Sequence, residues 1–153
     1  MANTYSQLYN HFVFAVKNRD NLILSTWKEE LYKYMTGIIT NRGCKVICIG
    51  GVEDHIHILI GMSTDISPAA LMAEVKRSST QWINSKHFLK CHFSWQNGFG
   101  VFSYAHSAIS NVAKYIENQE NHHKKKTFKE EYLKILHDFD IDYDERYVFH
   151  SIL

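Results

Sequence analysis

The stretch "GGVEDHIHILIG" at residues 50–61 places two histidines two positions apart in a run that is otherwise mostly apolar. A second apolar run, "CKVICIGGV" at residues 44–52, leads into it, and turn-prone Gly, Glu and Asp residues separate the two. Such a pair of runs is typical of an antiparallel β-hairpin. Because side chains alternate between the two faces of a strand, we expect His55 and His57 to point to the same face.

On both sides of the hairpin, apolar residues recur with the spacing that is typical of further strands and helices. Aromatic and β-branched runs predict more strands, and apolar residues at helical spacing predict helices. In chain order the predicted elements are a strand at 7–16, a helix from Trp27 to Gly43, the hairpin, a helix beginning at Pro68, a strand within 91–104, and helices at 105–121 and 128–137. Ser67 before Pro68 is a helix-start signal, and Thr127 with Glu130 has the spacing of a capping box.

The fold class follows from the order of these elements, which is strand, helix, strand, strand, helix, strand. This order predicts an α+β fold of ferredoxin-like type, in which an antiparallel β-sheet of about four strands carries helices on one face. The chain has 153 residues, 45% of them apolar, and no repeat or linker divides it. We therefore expect a single domain at 1–153, with residues 138–150 packed as an extended arm.

Charge and cysteine content narrow the class of protein. The 17 Lys and Arg residues nearly balance the 16 Asp and Glu residues, so any contact with nucleic acid would depend on local basic clusters. The 3 cysteines have no CxxC spacing, which argues against a disulfide framework and favours a reducing, cytoplasmic location. The N-terminus lacks the pattern of a secretory signal, and no apolar run approaches the roughly 20 residues of a membrane span. We expect a soluble protein that is not exported.

The predicted helix at 105–121 carries polar side chains on a second face, beside its apolar stripe. Tyr115 and Gln119 lie one turn apart on that face. This arrangement suits a polar site, although a solvated helix face has the same pattern. In the same way, the two histidines of the hairpin suit a divalent metal, although half-buried histidines satisfied by hydrogen bonds have the same spacing.

Two segments together resemble the single-tyrosine HUH transposases of the IS200/IS605 insertion-sequence family: "DHIHILI" at 54–60 and "VAKYIENQENHH" at 112–123. In that family a histidine–hydrophobic–histidine strand and a downstream helical Tyr-x-x-x-Gln form the active site, and His55-Ile56-His57 and Tyr115-x-x-x-Gln119 match this pattern. Further family-like pieces stand in the same order: "YNHFVFAVKNR", "EVKRSSTQWI", "GFGVFSY", "NHH" and "TFKEEY". The chain departs from the family at Lys17-Asn18-Arg19, where Lys-Tyr-Arg is usual, and this puts one peripheral DNA contact in doubt.

The resemblance implies a transposase that cleaves and rejoins single-stranded DNA at insertion-sequence ends. Tyr115, on a helix that follows the sheet, would attack a backbone phosphate and form a 5′-phosphotyrosine intermediate without ATP. His55, His57 and Gln119 would hold a divalent cation, Mg²⁺ or Mn²⁺, which is needed because a phenol with a pKa of about 10 is a poor nucleophile at neutral pH. Two imidazoles and one amide oxygen suit Mn²⁺ better than Mg²⁺, and Zn²⁺ is an alternative.

The resemblance also implies the partners. The DNA would form hairpins at the element ends, and family members work as homodimers in which the tyrosine helix of one subunit completes the histidine site of the other. We place the expected dimer contact on the aromatic segment at 93–104. Basic groups and aromatic side chains would hold the strand, although each basic group also fits a solvated surface. The candidates are Lys76, Arg77, Ser78 and Ser79 on the second helix, Lys124, Lys125 and Lys126 after the third, and Trp95, Phe99 and Tyr104 for stacking.

Other interpretations of the same residues remain open. One is a related HUH relaxase or replication nickase, although those proteins are usually longer and often have Lys where Gln119 stands. Another is a non-cleaving nucleic-acid-binding protein that keeps the transposase fold. A third is a zinc hydrolase that uses the two hairpin histidines and His122. We interpret Asp54 as shaping the hairpin turn in preference to orienting His55, and His122 and His123 as favourable charges at a helix end.

Overall fold

A four-stranded antiparallel β-sheet organises the chain. The computed structural model describes residues 4–144. The strands are β1 (Tyr9–Ala15), β2 (Lys45–Val52), β3 (His55–Gly61) and β4 (Gly100–Tyr104), and the helices are α1 (Lys28–Asn41), α2 (Pro68–Lys86), α3 (Ile109–Glu117), α4 (Gln119–His122) and α5 (Phe128–Asp138). The order across the sheet is β2-β3-β1-β4, so β1 pairs with both β3 and β4. The predicted α+β fold is confirmed.

Helices cover both faces of the sheet. On one face, α1 and α2 enclose a core that contains Phe12 of β1 and Ile58 of β3. On the other face, α3 and α5 pack over Leu59 of β3 and Val13 of β1. Because the side chains on both faces of the central strands are buried, helices cover each face. The sequence predicted helices on one face and a further helix with the tyrosine; in the structure α3, α4 and α5 cover the second face. None of the helices within residues 4–144 has the length and hydropathy needed to cross a bilayer.

The local signals at the central hairpin and at two helix starts are confirmed. β2 and β3 form the predicted antiparallel hairpin. The Ser67 hydroxyl accepts a hydrogen bond from the backbone N–H of Ala70 at 3.0 Å and caps α2. Thr127 and Glu130 form the predicted capping box at the start of α5. These signals were predictable because each depends on residues that are close in the chain.

The helix predicted at 105–121 is broken in two. A short 3-10 turn at His106–Ala108 precedes α3. α3 ends before Asn118, which has the non-helical dihedral angles φ −98° and ψ 21°, and α4 begins at Gln119. The break lies inside the Tyr-x-x-x-Gln motif, so Tyr115 and Gln119 belong to consecutive helices.

The strand predicted within 91–104 is shorter than expected. β4 covers only its last 5 residues, and Trp95 forms an isolated bridge with Val16. Side chains of α2 bind the backbone of the first part instead. The Asn84 side-chain amide accepts a hydrogen bond from the backbone N–H of Phe93 at 2.8 Å and donates one to its carbonyl oxygen at 3.1 Å. Phe93 and Trp95 are buried in the chain's own core, so these two aromatic residues are not exposed for the expected dimer contact.

The extended arm predicted at 138–150 falls largely outside the described residues. Its first part continues from α5, and the Phe139 ring packs against Phe102 and Tyr104, with centroids 5.0 and 5.5 Å away. Residues 141–144 have no regular secondary structure. The remainder of the predicted arm, 145–150, lies outside the described residues.

Helix α3 lies directly on β2 at Gly50. A Cβ added at Gly50 would stand 2.2 Å from the carbonyl oxygen of Ile116, the residue that follows Tyr115. A side chain at this position would therefore overlap the helix backbone, and only glycine permits so close an approach. Gly50 thus sets the height of Tyr115 above the sheet.

We expect Gly50→Ala to lower the free energy of unfolding by about 1–3 kcal/mol, because α3 or β2 has to shift to relieve the overlap. Urea-induced unfolding followed by circular dichroism measures this change. Gly37→Ala is the matched control, since a Cβ added at Gly37 in α1 meets nothing within 4 Å. The control substitution should raise the free energy of unfolding by about 0.5–1 kcal/mol. Wild-type stability of Gly50→Ala would contradict the close packing of α3 on β2.

Candidate functional site

His55 and His57 lie on β3 and point to the sheet face that α3, α4 and α5 cover. Both side chains are buried, with 0% relative exposure. They share one face as predicted, and their ring centroids are 5.0 Å apart. Each of their four ring nitrogens lies within hydrogen-bonding distance of a polar side chain. The two imidazoles are therefore held in defined orientations.

Tyr115 and Gln119 reach these histidines from the covering helices. The Gln119 side chain is buried, and its Oε1 lies 3.2 Å from His55 Nε2. The Tyr115 ring packs edge-on against His57, with centroids 5.8 Å apart. The four residues predicted to carry the chemistry thus lie together within a single chain.

Glu131 on α5 lies at the centre of this cluster and was not among the predicted site residues. Although it is an acid, only 5% of it is exposed. Its Oε1 lies 3.0 Å from His57 Nε2 and 3.3 Å from His55 Nε2. Its Oε2 accepts hydrogen bonds from the Tyr115 hydroxyl and from Gln119 Nε2, the latter at 3.1 Å. One carboxylate therefore joins all four predicted residues.

The sequence held a signal for the burial of Glu131, but none for its partners. The capping box starts α5 at Phe128, and Glu131 follows three residues later on the same helix face as this buried ring. An acid on the apolar face of a helix is buried with that face and requires polar partners. The partner His57 lies 74 residues earlier in the chain, and no local pattern connects the two.

Two side chains hold the outer ring nitrogens of the strand histidines. Asp54 Oδ1 lies 2.6 Å from His55 Nδ1, so Asp54 orients this imidazole in addition to occupying the hairpin turn. The preference for a turn-shaping role alone was wrong. His11 on β1 places its Nε2 2.8 Å from His57 Nδ1. Such outer hydrogen bonds fix the orientation of an imidazole that binds a metal.

The two histidines after Gln119 occupy different positions. His123 Nε2 lies 3.1 Å from Glu131 Oε1, and its ring centroid is 4.4 Å from that of His55. His123 therefore belongs to the cluster, which its interpretation as a helix-end charge did not anticipate. The His122 ring packs against Tyr115 instead, with centroids 4.6 Å apart. The zinc-hydrolase alternative needs His122 beside the strand histidines, and His123 is the residue found there.

Burial and hydrogen bonding shift the pKa values of the cluster in different directions. Burial lowers the pKa of His55, but hydrogen bonds to Asp54 and Glu131 outweigh this effect and raise the pKa to about 9. Burial lowers the pKa of His57 to about 4. For Glu131, burial raises the pKa, but hydrogen bonds from His123 and the strand histidines hold it well below its usual range. The carboxylate is therefore ionised at neutral pH.

The Tyr115 phenol is a weak acid in this setting. Burial raises its pKa, and the hydrogen bond to the ionised Glu131 raises the pKa further. The hydroxyl is therefore protonated at neutral pH. To act as a nucleophile, this phenol requires positive charge nearby.

Within residues 4–144, His55, His57 and Glu131 form the group of three side chains whose ligand atoms lie close enough to share a metal ion. A cation with bonds of about 2.1 Å places adjacent ligands about 3.0 Å apart. The distance between His57 Nε2 and Glu131 Oε1 is 3.0 Å. Gln119, the third ligand predicted from the sequence, has its Oε1 3.2 Å from His55 Nε2. Two imidazoles and a carboxylate, with an amide oxygen beside them, have the chemistry of a divalent-cation site, and Glu131 is a candidate ligand that the sequence analysis did not include.

A cleft of about 900 Å³ opens beside Tyr115 and is lined by residues of α3 and α5. Glu131 and His11 also line it. The predicted basic cluster at Lys124–Lys126 is exposed and lines the same cleft, together with Lys134. Further lining residues are Asn111, Asn118 and Asn121, with Val112 and Ile135 as apolar walls. The phenol therefore adjoins an open space with a basic border.

The group predicted on α2 to bind DNA makes contacts within the protein. Lys76 Nζ donates hydrogen bonds to two backbone carbonyl oxygens of the loop at 96–98, both at 2.7 Å, and burial lowers its pKa to about 8. Ser79 is buried, and its hydroxyl accepts a hydrogen bond from Trp95 Nε1 at 2.9 Å. The other members are Arg77, which is exposed, and Ser78, which is half-buried. DNA contact by this group stays a prediction.

Comparisons with known proteins agree with the resemblance seen in the sequence. The model of the family described as "Transposase IS200 like" matches residues 4–119. The ISDra2 transposase TnpA of Deinococcus radiodurans is 23% identical over 118 residues, which are 74% of this chain and 84% of that protein. The family match includes Tyr115 and Gln119, but it ends before His123 and Glu131.

Two solved structures share the fold. A transposase from Deinococcus radiodurans R1 superimposes with a TM-score of 0.63 at 20% identity, covering 76% of this chain and 94% of that chain. A REP-associated tyrosine transposase bound to a REP hairpin superimposes with a TM-score of 0.57 at 18% identity, covering 74% and 67%. The antiparallel sheet and its covering helices are therefore an architecture that transposases use.

Proposed function

Because the chain belongs to the IS200-like transposase family, we propose that it cleaves and rejoins single-stranded DNA at insertion-sequence ends through a 5′-phosphotyrosine intermediate. The observation that carries the proposal is the meeting of Tyr115, Gln119 and the two strand histidines at Glu131. A protein that only bound DNA would have no need of a phenol held beside a candidate metal group. The transposase function is therefore favoured over a domesticated binding role.

In this proposal the phenolic oxygen of Tyr115 attacks a backbone phosphorus atom. A bond forms between that oxygen and phosphorus, and the bond from phosphorus to the 3′ oxygen of the preceding nucleotide breaks. The phenolic proton passes to solvent as this bond forms, and the departing 3′ oxygen takes up a proton from solvent and becomes a free hydroxyl. Glu131 holds the phenol through its hydrogen bond. The new phosphotyrosine bond replaces one phosphate ester with another, so a 3′ hydroxyl can reverse the reaction without ATP.

His55, His57 and Glu131 would hold the divalent cation, proposed as Mg²⁺ or Mn²⁺, with Gln119 as a neighbouring oxygen ligand. When bound, the cation supplies positive charge that stabilises the negative charge developing on the phosphate. Asp54 holds the His55 imidazole so that Nε2 faces the cluster. Glu131 has two roles, because one of its oxygens faces the histidines and the other holds the nucleophile.

The proposed partner is single-stranded DNA that folds into hairpins. One structural relative, the REP-associated tyrosine transposase, was solved with a REP hairpin. In this chain the exposed lysines at 124–126 border the cleft beside Tyr115, where they suit the phosphates of a bound strand. A homodimer is also part of the proposal. Exchange of tyrosine helices is not needed to bring Tyr115 to His57, because this contact forms within one chain.

A polarity-labelled cleavage assay tests this proposal. The protein is incubated with Mn²⁺ and a panel of hairpin oligonucleotides labelled at either end, and the products are separated on a denaturing gel. We expect a 3′ label to migrate with the protein and a 5′ label to appear on a shorter free strand, because the tyrosine keeps the downstream fragment. Fully complementary duplexes and reactions with EDTA are controls and should give neither product. Absence of an adduct across the panel would leave only a DNA-binding role.

A further inference from the structure

His11 is a buried histidine with one unpaired ring nitrogen. It lies on β1 with 1% relative exposure, and its Nε2 lies 2.8 Å from His57 Nδ1. Its Nδ1 has no hydrogen-bond partner among the described residues. An unsatisfied buried polar atom costs about 1–3 kcal/mol, so native proteins rarely leave one without a partner. This nitrogen is therefore available to a partner other than the described residues 4–144.

The contact with His57 determines which nitrogen of His11 carries hydrogen. An imidazole that offers its Nε2 lone pair to a cation keeps its hydrogen on Nδ1, and His57 then donates that hydrogen to Nε2 of His11. A neutral ring that accepts at Nε2 carries its own hydrogen on Nδ1. With a cation bound at His57 Nε2, the unpaired atom of His11 is therefore an N–H donor.

The cleft beside Tyr115 is the open space that His11 borders. His11 lines the cleft together with Tyr115 and the basic cluster at 124–126. An occupant of the cleft is therefore in position to supply the missing acceptor. The lysines favour an anionic occupant, and a phosphodiester strand offers oxygen acceptors at every linkage.

Resting on the proposed function, we propose that His11 is a substrate-binding and positioning residue. Its Nδ1–H donates a hydrogen bond to a phosphate oxygen of the DNA strand in the cleft, and its Nε2 holds His57 so that Nε2 of His57 is free for the cation. A single side chain then aligns the cation group with the strand that Tyr115 attacks. His11, which would have this role, lies 46 positions before His57 in the chain.

Two substitutions separate the two contacts of His11. In His11→Gln the amide reaches the place of Nε2 and still accepts from His57, but it leaves the place of Nδ1 empty. In His11→Asn the amide lies near the place of Nδ1 and still donates into the cleft, but it does not reach His57. Both are made in a Tyr115→Phe background, so that binding is measured without cleavage.

We expect His11→Gln to bind Mn²⁺ within about 3-fold of its parent and to bind the hairpin oligonucleotide about 10-fold more weakly, because a hydrogen bond to a charged phosphate is lost. His11→Asn should show the reverse, with Mn²⁺ affinity lower by about 10–100-fold and DNA affinity nearly unchanged at saturating Mn²⁺. Isothermal titration measures Mn²⁺ binding, and fluorescence anisotropy measures DNA binding. Equal DNA affinity of His11→Gln and its parent would overturn the inference.

A measurement on the unsubstituted residue covers the case in which a variant fails to fold. In the Tyr115→Phe protein with Mg²⁺, ¹⁵N spectra of the histidine side chains should place the His11 hydrogen on Nδ1, and its signal should shift when the hairpin is added. A signal that the hairpin leaves unchanged would overturn the inference. The wild-type adduct assay remains separate: its failure defeats the proposed function, whereas an adduct together with an unaffected His11 defeats only the role of His11.

Discussion

A Tyr115→Phe protein is expected to form no covalent adduct with hairpin DNA, with cleavage reduced by at least about 10³-fold. The substitution removes only the hydroxyl that donates to Glu131, and it keeps the ring that packs on His57 with centroids 5.8 Å apart. The Glu131 oxygen that loses this donor keeps its hydrogen bond from Gln119 at 3.1 Å. We therefore expect the variant to remain folded and to bind both Mn²⁺ and the hairpin. Denaturing gels measure the adduct, and anisotropy measures the retained binding.

Tyr34→Phe is the matched control for the loss of a phenolic hydroxyl. Tyr34 lies on α1, on the opposite side of the sheet, and stacks on Trp82 with ring centroids 4.8 Å apart. This control should form the adduct at the wild-type rate. An adduct of normal yield with Tyr115→Phe would show that another side chain is the nucleophile, and the proposed role of Tyr115 would be lost.

Features that depend on neighbours in the chain were predictable from the sequence. The hairpin follows from two apolar runs separated by turn-prone residues, and the start of α5 follows from the spacing of Thr127 and Glu130. The common face of His55 and His57 follows from strand geometry alone. Their grouping with Tyr115 required the family resemblance, because nothing local connects a strand with a helix more than fifty residues later.

Contacts between distant segments could not be predicted in the same way. Glu131 and His11 meet His57 across separations of 74 and 46 residues, and these contacts depend on how α5 and β1 pack. The break before Gln119 is also tertiary in origin, since it accompanies the reach of this amide to His55. Helix periodicity describes an isolated helix and does not report where packing interrupts it.

The same limit explains why the contacts of the α2 group at residues 76–79 were not predicted. The family resemblance assigned this group to DNA binding, and Lys and Ser are residue types that are usually exposed. In the fold, the loop at 96–98 passes over α2, and its carbonyl oxygens bind Lys76. Trp95 covers Ser79 in the same region. The local sequence "EVKRSSTQWI" does not indicate either contact.

Glu131→Gln is expected to lower Mn²⁺ affinity by about 10–100-fold and to abolish adduct formation, because it replaces a charged cation ligand by a neutral amide. The amide keeps the size of the side chain and can still hydrogen-bond the Tyr115 hydroxyl. It removes the negative charge that faces His57 Nε2 at 3.0 Å and His55 Nε2 at 3.3 Å. Isothermal titration with Mn²⁺ measures the affinity, and the labelled-hairpin assay measures cleavage.

Glu117→Gln is the matched control for the loss of one negative charge, since Glu117 lies on α3 two residues after Tyr115 and is exposed. It should keep wild-type Mn²⁺ affinity.

Gln119→Ala decides between the two ligand sets. If Glu131→Gln keeps its affinity while Gln119→Ala loses it, the cation is held by the histidines and Gln119, and Glu131 serves only the phenol. If both variants lose affinity, the carboxylate and the amide hold the cation together. Glu131 then connects the cation to the nucleophile directly, because its other oxygen accepts the Tyr115 hydrogen bond.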